Sequence, residues 1–359
     1  MRVASRRNAL VVVAIASALT GCASPPPPPP PPPKIVIVGP PTDTARIALT
    51  DLLARTYYGN VGGLYSGGVN QPPHDQDSAA RAARNTIKPL DVNGDESPFG
   101  KFVLLSIGSS NATQEWCSKS SSPPCGQWTF MGKAATDPGI NHYTLVIVNG
   151  AADSQDAPAW SSAASPNYDR IKVARLAPLG LSENQVQAVW LELEDPKPSV
   201  SLPADSADAY TFLNNLGQVV RALRIRYPYL RIVFLSSRIY GGYATVNLIT
   251  EPYAYESAFS IKWAIESQAN EVRGLPINPR VGTLNYAKKA APVIVWGPYL
   301  WADGPVPRSD GVVWLRSDFE EDGVHPSQAG ETKAAGLLID FFKVSPYARC
   351  WFVANQYCL

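Results

Sequence analysis

"KFVLLSIGSSNATQEW", residues 101 to 116, passes from a continuous apolar run into a glycine and a serine-rich turn, and then into a helix-compatible stretch. An unbroken apolar run of this length, without polar alternation, predicts a β-strand buried on both faces, as in a parallel sheet covered by helices. Four further runs have the same character: "YTLVIVNG" (143–150), "VQAVWLEL" (186–193), "LRIVFLSS" (230–237) and "APVIVWGP" (291–298). Helical stretches lie between and after them, clearest at 208–228, 255–274 and 327–343. This alternation predicts an α/β domain over 100–345, with a mostly parallel five-stranded sheet and helices on both faces. Ligand sites in open sheets of this type form at the carboxyl ends of the strands. Gly108-Ser109-Ser110-Asn111 is therefore the place to look, because it holds a serine hydroxyl at such an end, beside a helix N-terminus.

A second stretch supplies what a hydroxyl lacks. "EEDGVHPSQAG" (320–330) sets Asp322 three residues before His325, where a loop turns into the last long helix. A serine hydroxyl is a poor nucleophile until an imidazole takes its proton, and the imidazole needs a carboxylate to fix its tautomer and stabilise its charged form. The reading assigns attack to Ser110, base and then acid to His325, and orientation of the imidazole to Asp322.

The ends of the chain read as address and tether. Arg2, Arg6 and Arg7 precede an apolar run from Ala9 to Ala18 that is short for a membrane span and has the form of an export signal. Leu19-Thr20-Gly21-Cys22 resembles the lipobox of bacterial lipoproteins, which implies cleavage there and lipidation of Cys22. Residues 1–22 are thus expected to be a lipoprotein signal, and 23–34, with the run Pro25 to Pro33, a stiff polyproline spacer. Residues 35–99, rich in Gly, Pro and Asp, are expected to form an irregular lead-in with a short helix near 78–87, and 346–359 a pinned C-terminal tail. Four other cysteines fall as two close pairs, Cys117 with Cys125 and Cys350 with Cys358. Three connectivities are formally possible; local disulfides are the natural pairing and fit an exported protein. A formal net charge of +1 and the lack of any basic stripe exclude a nucleic-acid footprint. No metal or organic cofactor is expected.

With its serine after the first strand and Asp-x-x-His before the terminal helix, the chain resembles the SGNH (GDSL-like) hydrolase superfamily over roughly 100–343. Gly108-Ser109-Ser110 stands for that family's Gly-Asp-Ser, with Ser109 in place of the aspartate, and Asp322-Gly323-Val324-His325 matches its last block. The resemblance implies a three-layer, flavodoxin-like fold and an oxyanion hole of three donors. These are the Ser110 N–H, a backbone N–H after the second strand and an asparagine side chain after the third. Ser154 in "VNGAADSQDAPAW" falls where the family has glycine, a change that keeps a backbone N–H. Asp195 in "WLELEDPKP" falls where it has asparagine. A carboxylate there offers a donor only when protonated, which leaves three readings: a raised pKa, a register displaced by a residue or two, or an impaired enzyme.

Around these positions, Asn111, Arg238, Tyr240, Tyr243 and Trp301 are candidate substrate-binding residues. "SSRIYGGYATVNLITEPYAYE" after the fourth strand is expected to wall the pocket, with Glu251 in it, and Trp296 and Asp303 follow the fifth. His74 and His142 read as structural, and "DVNGDE" (91–96) as a turn. The expected protein is an envelope-anchored serine esterase acting on a small ester such as an O-acetylated glycan. The alternative is a catalytically impaired surface lipoprotein that keeps the fold for glycan binding or an envelope role.

Overall fold

The computed structural model describes residues 44–118, 123–195 and 197–358; the signal, Cys22 and the proline run lie outside the described residues. Five strands form one sheet: β1 (Phe102–Gly108), β2 (Leu145–Asn149), β3 (Val186–Glu192), β4 (Ile232–Leu235) and β5 (Val293–Trp296). Their order is β2-β1-β3-β4-β5 and every pairing is parallel, the doubly wound order whose switch point lies beside β1. The sequence-predicted fold class and strand positions match, with ends trimmed by a residue or two.

Side-chain alternation along these buried strands divides the core in two. Val103, Leu105 and Ile107 of β1, with Val189 and Leu191 of β3, face one layer, formed by helices whose buried residues include Leu216, Val220, Phe259 and Ile265. Phe102 and Leu104, with Ala188 and Trp190, face the other, which includes Trp116, Phe130, Leu338 and Phe342. Among the described residues, six helices of seven residues or more cover the faces: α1 (His74–Asn85), α2 (Ser110–Cys117), α3 (Phe130–Thr136), α4 (Asp208–Arg226), α5 (Tyr253–Val272) and α6 (Gln328–Val344). The helix α1 begins four residues before its expected start because Pro73 sits at its N-cap and Asp75 and Asp77 occupy its first turn.

The lead-in carries α1 and a two-strand hairpin and is built into the domain. Leu49, Leu52, Tyr57 and Tyr65 are core residues. The Tyr57 hydroxyl donates to Glu256 of α5, and the Lys262 ammonium, buried on the same helix, donates to the carbonyls of Val61 and Gly62. Both local disulfides form, Cys117 with Cys125 and Cys350 with Cys358.

Candidate active site

Ser110 is the first residue of α2, two positions beyond the end of β1. The turn is tight because Gly108 passes against the Glu192 carbonyl and Ala112, leaving no room for a Cβ. The N–H of Ser110 has no intrahelical acceptor and lies at the positive end of the helix. Asp322 and His325 sit in the loop before α6, and the structure brings these three residues together across more than two hundred positions. Ser110 Oγ lies 2.8 Å from His325 Nε2, and His325 Nδ1 lies 2.5 Å from Asp322 Oδ2. The other carboxylate oxygen of Asp322 accepts from the N–H groups of Val324 (2.9 Å) and His325 (3.0 Å). Burial works to raise the Asp322 pKa, but the His325 ring and these two N–H groups outweigh it and hold the carboxyl below its usual range. With Nδ1–H donated to an ionised carboxylate, Nε2 is left to accept the serine proton.

The loop is held by Gly323 at φ +68° and by Thr245, whose N–H and hydroxyl both donate to the Asp322 carbonyl. From the other side Asn111 Nδ2 donates to the Val324 carbonyl at 3.1 Å. Asn111 is fully buried, so it ties α2 to the histidine loop and does not face a substrate.

Ser110 and His325 line a cavity of about 510 Å³, within the usual range for small-ligand sites. Ser154 lines it too, at φ +60°, the left-handed region that favours glycine. Asp153, Asp156, Glu194, Lys197, Arg238, Leu248 and Ile249 share the wall.

Asp195 does not line this cavity. Its neighbours are Asp208, Phe212 and Glu256, on the α4–α5 face, where burial and the carboxylates of Asp208 and Asp156 push its pKa up to about 6. The residue at the cavity is Glu194. Side chains alternate along an extended chain, so the face carrying Trp190 and Glu192 toward α2 recurs at 194, and a one-residue slip reverses the face. That continuing alternation was the signal available in "WLELEDPKP". Asp195 thus has the raised pKa that one of the three readings expects, but it stands outside the cavity, where Glu194 is the carboxylate on the wall.

Glu194 stands in a buried polar network. It accepts a hydrogen bond from Ser109 Oγ through one oxygen, and Arg238 Nη1 donates to the other at 2.9 Å. Behind them the carboxyls of Glu115 and Glu192 face each other, fully buried, with no other donor among the described residues reaching either. Such a pair is satisfied only when a proton lies between its members. Burial, reinforced by the neighbouring carboxylate, raises Glu115 well above its ordinary value. Burial also pushes Glu192 up to about 8, against the opposing pull of Arg238.

The aromatic candidates belong to the core. Trp301 is fully buried with its indole N–H on Glu251, and Tyr240 packs between Trp301 and Tyr243. The Tyr243 hydroxyl donates to the Trp314 carbonyl. None of the three lines the cavity; the segment after β4 contributes Arg238, Leu248 and Ile249 instead. Trp296 is buried with its N–H on the Leu64 carbonyl. The Nε2 of exposed His142 lies 3.0 Å from the Asp137 carbonyl, His74 opens α1, and Asp91 closes the 91–96 turn by accepting from Asn93 and Asp95.

Fold and site together define a parallel α/β protein with a serine, an imidazole and a carboxylate in series at the switch-point end of its sheet. No family model matches the chain, and no curated protein does. Among solved structures, the chain is similar to a candidate GDSL-like lipase from Parabacteroides merdae at 14% identity and a TM-score of 0.36, over 71% of this chain and 97% of that one. An extracellular lipase from Streptomyces rimosus is similar at 15% identity and a TM-score of 0.30, over 67% and 99% of the two chains. A carbohydrate esterase of family 2 from Corynascus thermopiles is similar at 14% identity and a TM-score of 0.34, over 68% and 66%.

Proposed function

We propose that this chain is a serine ester hydrolase of the SGNH type. The observation that carries the reading is the unbroken series from Ser110 Oγ through His325 to Asp322, opening on a cavity of small-ligand size. As Oγ attacks an ester carbonyl, its proton passes to His325 Nε2 and the carbonyl π pair moves to oxygen. Collapse of that intermediate expels the alcohol, which takes the proton from Nε2 and leaves an acyl group on Ser110. Water activated by the same imidazole then releases the acid. The Ser110 and Ser154 N–H groups are the backbone donors for the oxyanion. The mixed polar wall suits a small, hydrophilic ester, and an O-acetylated glycan is the substrate class favoured.

Export and anchoring through Cys22 complete the reading; they are supported by the lipobox-like sequence and by two disulfides, which persist in oxidising compartments. Mass spectrometry of the mature N-terminus tests them: an unmodified Cys22 would end the anchoring proposal. One observation favours the impaired alternative, namely the carboxylate of Glu194 at the cavity wall. Hydrolysis of short-chain nitrophenyl esters by the full chain decides between the two. The Ser110→Ala variant is expected to lose more than about 10³-fold in rate. Equal rates for both proteins would refute the enzyme reading.

A further inference from the structure

An oxyanion needs donors, and Glu194 has none to give. In the family pattern a neutral amide stands here; in this chain both oxygens of a carboxylate are occupied, one by Ser109 and one by Arg238. The cation that accompanies the carboxylate changes what the position offers. Arg238 follows β4 by three residues, is 3% exposed, and lines the same cavity as Ser110 and His325. A guanidinium carries five N–H donors in a rigid plane. Glu194 takes one from Nη1, while Nε is buried without an acceptor and Nη2 has no protein acceptor among the described residues. Buried polar groups are ordinarily satisfied, and the exceptions call for an explanation. Two more carboxyls, Glu115 and Glu192, lie close enough to act on the cation electrostatically, but among the described residues neither accepts a hydrogen bond from it.

We propose that Arg238, oriented by Glu194, is the side-chain donor to the oxyanion formed at Ser110, in place of the neutral amide of the family pattern. This rests on the serine-hydrolase reading above. Glu194 is then a positioning residue: its carboxylate fixes the plane of the guanidinium and, through Ser109, ties it to the turn that carries the nucleophile. The acceptor that the remaining N–H groups of Arg238 lack in the free protein arrives only as the carbonyl oxygen becomes anionic, which is the condition for lowering a barrier without tightening substrate binding.

The test is steady-state hydrolysis of p-nitrophenyl acetate by the full chain, with binding of phenylboronic acid, which forms a tetrahedral anion on an active serine. Arg238→Met is combined with Glu194→Gln so that neither member of this ion pair is left as a lone buried charge, and folding is checked by circular dichroism. The expected result is a fall in kcat of about 10²- to 10³-fold with KM within about threefold, and boronate affinity weakened in parallel. Should the double variant not fold, Arg238→Lys keeps the buried pair neutral and is expected to lose at least about tenfold in kcat at constant KM. A rate within about threefold of wild type, or a change confined to KM, overturns the proposal. A wild-type chain that neither hydrolyses the ester nor binds boronate at Ser110 would instead overturn the serine-hydrolase reading itself.

Discussion

Replacing Gly323 by alanine tests whether the geometry of the Asp322–His325 loop limits the reaction. Gly323 holds φ +68°, which costs an L-residue roughly 1–2 kcal/mol. The added methyl would also overlap the Tyr243 carbonyl and lie 3.0 Å from the Ala244 nitrogen, where ordinary contacts run from 3.4 to 4 Å. Backbone cannot rotate away as a side chain can, so segments 243–245 and 322–325 must part by more than about 1 Å. Parting them breaks both Thr245 hydrogen bonds to the Asp322 carbonyl and carries His325 away from Ser110. Strain and lost bonds together should lower stability by roughly 2–4 kcal/mol. A misplacement of about 1 Å in a catalytic group costs about 10²-fold in rate. Nitrophenyl ester turnover at a temperature where the variant is folded, with urea denaturation, measures both. Gly311→Ala is the control, because Gly311 has φ +86° but open space around its Cβ, and only the dihedral cost should appear there. A folded Gly323→Ala variant with wild-type turnover, or equal losses of turnover at the two glycines, would refute the reasoning.

Other outcomes follow from the site. Asp195→Asn should leave turnover within about twofold of wild type, since Asp195 faces α4 and not the nucleophile; a large change in kcat would return Asp195 to the catalytic cavity. The Glu115–Glu192 pair makes stability depend on pH. Glu192 holds its proton up to about 8 when folded, against 4.5 ordinarily. Between these values the native state keeps a proton that the unfolded chain has released. Stability conferred by the pair is therefore full at acidic pH and declines as pH rises toward 8, by on the order of a kcal/mol per pH unit. Glu192→Gln should flatten that decline in urea titrations from pH 5 to 8; an unchanged slope would show that the pair is not its source.

Much of this was legible in the sequence because it rests on local rules. The five strands stood out as apolar runs between turn residues, and double burial is why none of them alternates. Ser110, Asp322 and His325 could be named because their chemistry requires those three side chains, although only the folded chain brings them within hydrogen-bond reach. Glu194 was missed through a slip of one residue at a strand end, which in extended backbone is a change of face. Tyr240, Tyr243 and Trp301 were misjudged because an aromatic ring after a strand suits a pocket wall and a core equally well. Arg238 and its carboxyl neighbours come from separate elements, β3, α2 and the segment after β4, and no spacing along the chain announces them.

The lead-in also sets where the folding unit begins. A chain cut at residue 100 would strip the phenol from Glu256, whose burial already pushes its pKa up to about 7, and both carbonyl partners from the Lys262 ammonium. Glu256 would keep only the Leu202 N–H and Lys262 only the Glu266 carboxylate 3.7 Å away, on a helix face newly open to water. A piece that keeps this packing must include Ile47, whose carbonyl accepts from Tyr255, and Leu49 in the core, and shorter versions designed around the strand pattern alone should aggregate.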